Sequence, residues 1–446
     1  MTNIKELAEK ALVNRQKLPD IFGPETLKPS YDGLGLVNIP ALALQLLGVE
    51  ADGKTAPPFN PDLYGDPEIS RGWQQFLANG PINHVVVLLV DALGYDQLES
   101  QFRKGEAPNL ARAANHPLNF FVPLTSVYPS TTTTALTAVA TARTPQEHGI
   151  MATTVQFPRI GAPINLIHFS FASDNTPIST KLLNPDTLLP VPNIYKTFIE
   201  NGIQASQINY YQFENSTISR FCSAGSGAKF VPYHTPAGCF TALRQTLENT
   251  TDSQKSYTYA YIPTIDTTAH AYGPLSATYE AELAVLDFAF QREIVEKLKR
   301  PDVLFILTAD HGQRATSTPH IAWLNEHPEL MRLMSAPAAG EGRAAYVYLR
   351  NGEEVLEKAR AYIQTTFGDE FLVLTKAEAL AGGLFGDPEQ EAGQECLDRL
   401  GDLILLPRRD WQARQAVKEK YEVYPGVHGG LSRAEMLIPF LAMRLG

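Results

Sequence analysis

HVVVLLVDALGYD, residues 84–96, decides the fold. Residues 85–90 are apolar without alternation, so the strand they form is covered on both faces, as inner strands of a parallel α/β sheet are. The run stops at Asp91, and Ala-Leu-Gly-Tyr turns the chain into a helix. A carboxylate at that point stands at the carboxyl end of a strand, where parallel sheets gather their working residues. Taken singly, Asp91 reads equally well as a helix cap.

The pattern repeats outward from this strand. Residues 120–127 form a second strand, which leads through Tyr128-Pro129 into five hydroxyl residues, 130–134. Ala135, Leu136, Val139 and Ala140 follow at helical spacing, so a helix starts among the threonines. Residues 257–262 form a strand that delivers Asp266 and His270 ahead of a Gly-Pro turn. A long helix follows, with Leu283, Leu286, Phe290, Ile294 and Leu298 on one face, until Pro301-Asp302 breaks it. Residues 303–307 are a further buried strand, ending at Asp310-His311-Gly312. Adjacent residues point different ways, so both ligands reach one ion only on an irregular turn, which Gly312 permits. Near the end of the chain, Tyr424-Pro425-Gly426-Val427 presents His428 in a glycine-rich turn.

These elements predict an α/β fold: a mostly parallel central sheet flanked by helices on both faces, with a small inserted α+β subdomain. Residues 1–80, rich in Pro and Gly after a first helix, form a lead-in that wraps the core, with a helix near 67–78. Residues 81–314 and 421–446 form the core. Residues 315–420 read strand, helix, strand, strand and form the insert. INLIHFSF, 164–171, reads as one strand, and 191–210 as helix then strand with Asn201-Gly202 as the stop.

The chain has 446 residues, 44% hydrophobic and 19% charged, the balance of a globular enzyme. A net charge of −11 argues against binding a nucleic-acid duplex, which needs a basic face. It leaves room for a small phosphoester, because bound metals supply positive charge locally. No apolar run reaches the ~20 residues that span a bilayer, so no membrane partner is expected. The N-terminus has no signal-peptide core, and Cys222, Cys239 and Cys396 are odd in number and widely spaced. Both features point to reduced thiols and a cytoplasmic protein.

Asp91, Asp266 and Asp310 with His270, His311 and His428 form an N/O donor set for two divalent ions, Zn²⁺ first and Mn²⁺ or Fe²⁺ as alternatives. Each pair alone reads as well as a salt bridge or cap. All of them following strand or glycine signals in one chain is the informative pattern. The hydroxyl run, taken alone, reads at least as well as a helix cap; beside the ligand segments it reads as a nucleophile at a helix N-terminus, where backbone N–H groups can hold an oxyanion. His84, His116, His148, His168, His234, His320 and His327 lack a partner pattern and read as structural.

Five stretches together resemble the type I phosphodiesterase/nucleotide pyrophosphatase branch of the alkaline phosphatase superfamily: VVVLLVDALGYD, SVYPSTTTTALTAVATARTPQEHGI, YIPTIDTTAHAYGP, LTADHGQ and YPGVHGG. The resemblance implies that the nucleophile is Thr132, three residues after Pro129 and sixteen before His148. It implies Asp91, Thr132, Asp310 and His311 around one zinc and Asp266, His270 and His428 around the other. It implies hydrolysis of a phosphodiester or pyrophosphate bond in a small molecule, a nucleotide among the candidates, through a covalent phospho-threonine. The chain departs from the branch at Ala135, where eukaryotic-type members carry an Asn that holds a phosphate oxygen. A phosphomonoesterase, phosphonate hydrolase or phosphomutase on the same bimetal core is therefore the second reading. A non-catalytic metal-stabilised scaffold is the third.

Overall fold

The structure is a computed structural model that describes residues 4–251, 254–316, 320–416 and 423–445. Its centre is a seven-stranded sheet in the order Phe120–Thr125, Leu437–Leu445, Arg300–Thr308, His84–Val90, Ser256–Ile262, Gln204–Tyr210 and Lys229–Tyr233. Leu437–Leu445 runs against both of its neighbours, and the other pairings are parallel. Every residue of His84–Val90 is buried, as its unbroken apolar run requires. Helices cover the sheet: Ile4–Gln16 and Pro67–Leu77 lie against Phe120–Thr125, and Pro236–Glu248 lies against the opposite end. The fold is the mostly parallel α/β sheet that the sequence predicts.

Register places the site. Val90 pairs with Ile262, and Leu89 pairs with Thr308. Three parallel strands therefore end level, and the segments carrying Asp91, Asp266 and Asp310 leave the sheet along one rim. Residues 27–56 are strapped across the core by main-chain bonds from Leu27 to Leu431, Leu36 to Thr125 and Ala56 to Ala142.

A second seven-stranded sheet is antiparallel. Four strands, between Met334 and Pro407, come from the 315–420 segment, and three, Thr154–Phe157, Ala162–Asn165 and Ser170–Phe171, come from much earlier in the chain. INLIHFSF is thus not one strand: a turn splits it into two short ones that pair antiparallel. In the strand Ala344–Leu349, alternate residues serve two cores. Ala345, Val347 and Leu349 face a separate cluster under the helix Glu353–Phe367, while Ala344, Tyr346 and Tyr348 join the main core. Tyr346 also donates to the Met151 carbonyl at 2.9 Å, tying this sheet to the segment after the hydroxyl helix. The edge drawn at 420–421 lies outside the described residues. The long predicted helix runs over Ala277–Phe290 and continues as a π-helical stretch, Gln291–Glu296. No helix among the described residues is long and apolar enough to cross a membrane.

Candidate active site

The sheet rim builds an inner group first. Asp91, Asp310 and His311 are buried, at 2%, 0% and 0% exposure. Ala92, at φ 58, aims its N–H at Asp310 Oδ1, 3.0 Å away, and the His311 N–H reaches the same oxygen at 2.9 Å. Ser126 donates to the Asp310 carbonyl. His311 Nε2 then stands 3.3 Å from Asp310 Oδ2 and 3.5 Å from Asp91 Oδ1. Gly312 serves this turn by size, not by a left-handed φ. A Cβ there would stand 2.1 Å from the Ala434 carbonyl oxygen and 3.1 Å from the Gly94 Cα, so the two segments close up only with glycine.

An outer group lies beside it. Asp266 and His270 share one face of the helix Thr264–Tyr272, four residues apart. His428 follows the short strand Gly426–Val427, which pairs with Arg314–Ala315 and so folds the last ligand segment over the Asp310 turn. His270 Nε2 is 3.3 Å from Asp266 Oδ1 and 3.1 Å from His428 Nε2. The ligand atoms of Asp91, Asp266 and His311 also lie within 4.8 Å of one another, so Asp266 adjoins both groups.

Thr132 opens the helix Thr132–Thr141. Its Oγ1 is 3.3 Å from His311 Nε2. It is half-exposed, whereas Ser130, Thr131, Thr133 and Thr134 are buried. Ser130 is occupied on the Gly430 carbonyl at 2.7 Å. Deeper in the helix, Thr137 and Thr141 return their hydroxyls to the carbonyls four residues back, which is how so many hydroxyls are buried there.

The donor set fits divalent cations. His270, His311 and His428 each direct Nδ1 at a backbone carbonyl, of Gly426, Gly312 and Ser130, at 2.8, 3.1 and 3.0 Å. A carbonyl only accepts, so each Nδ1 carries a proton, and the Nε2 atoms are the ring atoms turned toward the site. Asp91 Oδ1 and Asp310 Oδ2 are buried without a hydrogen-bond donor. Burial pushes the Asp91 carboxyl well up, helped by Asp310 and Asp266, and burial raises Asp310 to about 6. Burial lowers His311 to about 4, and burial with His311 lowers His428. Inward lone pairs and uncompensated carboxylates repel unless positive charge sits between them, the arrangement a bound cation resolves.

All seven residues named from the sequence thus meet in one constellation. Others escaped notice. Tyr261 donates its hydroxyl to Asp91 Oδ2, and burial and Asp91 raise its phenol, so it keeps the proton it donates. Gln313 Nε2 donates to Asp266 Oδ1 at 2.5 Å. Arg343 and Glu435 form a buried two-point pair at 2.8 and 2.9 Å, and Glu435 also takes the Gly430 N–H, pinning the His428 turn. Gln313 alone had a signal, its place three residues after Asp310. Phe221 and Tyr233 belong to the core, while Tyr210, Tyr211 and Phe213 pack on one another at its edge. His320 pairs with Asp410 at 3.0 Å, outside the constellation, and His148 is buried with its Nδ1 on the Ile150 N–H. A cavity of about 670 Å³ lies elsewhere, lined by Arg15, Lys28, Tyr31 and Glu147 and by no ligand candidate. Its Arg15 is already spent on Asp32, so donor chemistry outweighs volume in locating the site.

The profile of the type I phosphodiesterase/nucleotide pyrophosphatase family matches residues 85–431. No curated protein matches the chain. Among solved structures, murine ectonucleotide pyrophosphatase/phosphodiesterase 5 is similar at 17% identity, covering 80% of this chain and 87% of that one, with a TM-score of 0.58. Phosphonoacetate hydrolase from Sinorhizobium meliloti 1021 is similar at 16% identity, covering 80% and 89%, with a TM-score of 0.59. At these identities the likeness is one of fold. The profile match spans most of the chain, from the Asp91 strand to just past His428, and the chain belongs to the type I phosphodiesterase/nucleotide pyrophosphatase family.

Proposed function

We propose that this protein hydrolyses phosphodiester or pyrophosphate bonds of small molecules through a covalent phospho-Thr132. The observation that carries the reading is Thr132 Oγ1 at 3.3 Å from His311 Nε2, at a helix N-terminus inside the donor set. Asp91, Thr132, Asp310 and His311 would hold one divalent ion, and Asp266, His270 and His428 the other, with zinc first among the candidates. When bound, the ions supply positive charge that lowers the pKa of a hydroxyl and neutralises the phosphoryl group. Thr132 forms the Oγ–P bond as the P–O bond to the leaving alcohol or phosphate breaks, and its hydroxyl proton passes through solvent to that leaving group. Water then cleaves the Oγ–P bond, restoring Thr132 and releasing the phosphate product. Tyr261 and Gln313 orient Asp91 and Asp266 throughout. The three cysteines are free and buried, which supports a reducing compartment, the cytoplasm, as the place of action.

Thr132→Ala tests this directly. Turnover should fall by at least ~10⁴-fold with metal content retained, because the covalent path is lost while the aspartates and imidazoles remain. A variant with wild-type turnover removes Thr132 from the mechanism.

Ala135 supports a second reading on the same core. It is fully buried and offers no side-chain donor to a phosphate oxygen. Phosphonoacetate hydrolase has been solved with phosphonoformate on a similar fold, as an inactive form of the murine phosphodiesterase 5 has with AMP. A panel of bis-p-nitrophenyl phosphate, p-nitrophenyl phosphate and phosphonoacetate separates the readings. Dominant monoester or phosphonate turnover would defeat the diesterase.

A further inference from the structure

The nucleophile's helix is left open by its own cap residue. Thr131 has the extended backbone of an N-cap, φ −137 and ψ 147, yet makes no side-chain cap bond. Ser216, Thr235, Ser276 and Thr375 hold the same place on other helices, and each accepts a helix N–H. The difference is Glu341. Its Oε1 lies 3.0 Å from Thr131 Oγ1 and 2.7 Å from the Thr153 N–H. In the rotamer that meets this carboxylate, the Thr131 hydroxyl makes no bond to its own helix. The N–H groups of Thr132, Thr133 and Thr134 have no acceptor among the described residues, and the one N–H that a cap hydroxyl would take is among them.

We infer that Glu341 is a positioning residue: it holds the Thr131 hydroxyl off the helix end, and so keeps the N–H that this hydroxyl would cap open for a phosphoryl oxygen. The inference rests on Thr132 being the nucleophile. It accounts for Ala135, since main-chain donors take the place of a side-chain amide. It also gives the second sheet a part in the reaction, because Glu341 ends the strand Met334–Glu341. The fit is close on the other side as well: a Cβ on Gly429, at φ +113, would stand 2.9 Å from the Glu341 Cβ. One glutamate therefore meets the residue before the nucleophile with its carboxylate and passes close to the residue after His428 with its Cβ.

The test uses the zinc-loaded full chain, the best ester of the panel, and orthophosphate binding by calorimetry. Glu341→Ala should lower kcat by roughly 10²-fold, with KM within about threefold, because an oxyanion donor is lost to the released hydroxyl. It should weaken orthophosphate in parallel, and a crystal structure should show the Thr131 hydroxyl on a helix N–H. Glu341→Gln, which keeps an accepting oxygen, should restore most of kcat. Removing the hydroxyl as well, in Glu341→Ala/Thr131→Ala, should bring kcat back to within about fivefold of wild type, since nothing is left to close the helix. If Glu341→Ala does not fold, Glu341→Met, of similar length without an acceptor, carries the same expectation. A double variant as slow as Glu341→Ala, or a Glu341→Ala kcat equal to wild type, overturns the inference. An active Thr132→Ala would instead sink the nucleophile, while the crystal structure and orthophosphate binding still report on the helix end.

Discussion

The two ligand groups are built differently. The inner one hangs on strand ends whose register is fixed by sheet pairing, and its side chains are 0–3% exposed. The outer one hangs on a helix and a glycine-rich turn, with Asp266, His270 and His428 at 17%, 27% and 10%. Burial leaves the inner carboxylates no solvent to share, so they depend on a cation for charge balance. The outer residues can borrow water. The inner group should therefore bind metal more tightly and tolerate change less, and the outer group should be the one that opens to substrate.

The largest effect should come from breaking the inner group. Asp310→Asn keeps an oxygen to accept from Ala92 and His311 but removes the charge. Turnover should fall by at least ~10³-fold, and one metal should be lost on dialysis, read by elemental analysis. His270→Ala should retain one metal per chain and a smaller, metal-concentration-dependent loss. Equal loss of both metals in both variants would erase the distinction.

Next in size is the pin on the outer turn. Burial alone would raise Glu435, but Arg343 beside it, with Ser432 and the Gly430 N–H, holds it down at about 2. A depressed carboxyl contributes stability that is fully present above its unfolded pKa and fades as pH falls toward the folded one. Against an ordinary value of 4.5, this amounts to ~3 kcal/mol at neutral pH. Glu435→Gln should lose about that much in urea melts at pH 7, and the gap to wild type should shrink between pH 4.5 and 3. A gap that does not change with pH would mean the pair contributes by packing rather than charge.

The same contrast explains what was legible beforehand. The inner ligands follow apolar runs, so the strand His84–Val90 and the strand-end places of Asp91 and Asp310 could be read from local pattern, and their part as ligands only from the whole set. Thr132 needed the resemblance, since five hydroxyls in a row offer no local way to choose. Tyr261, Glu341 and Glu435 could not be read at all. Tyr261 looks like one more apolar residue of a buried strand, and its partner lies 170 positions away. Glu341 meets Thr131 across 210 positions. The second sheet hid for the same reason: Thr154–Phe157 pairs with a strand that begins at Met334, and no periodicity announces a partner that distant.

Tyr261 and Gln313 let the comparison be sharpened, since each donates one neutral hydrogen bond to one carboxylate, on the inner and outer side respectively. Tyr261→Phe removes only an oxygen. In a buried site nothing replaces that donor, so metal affinity or turnover should fall by about 10–100-fold.

Gln313→Ala should matter less, although its bond to Asp266 is short at 2.5 Å. Asp266 is partly exposed, so water can supply the missing donor at little cost. The expected loss is under about tenfold, and it should appear in the weaker metal's dissociation constant rather than in turnover at saturating zinc. Metal titrations of the two variants side by side decide the matter. If Gln313→Ala proves as damaging as Tyr261→Phe, exposure is not what separates the groups, and the amide must be fixing the direction of Asp266 between both of them.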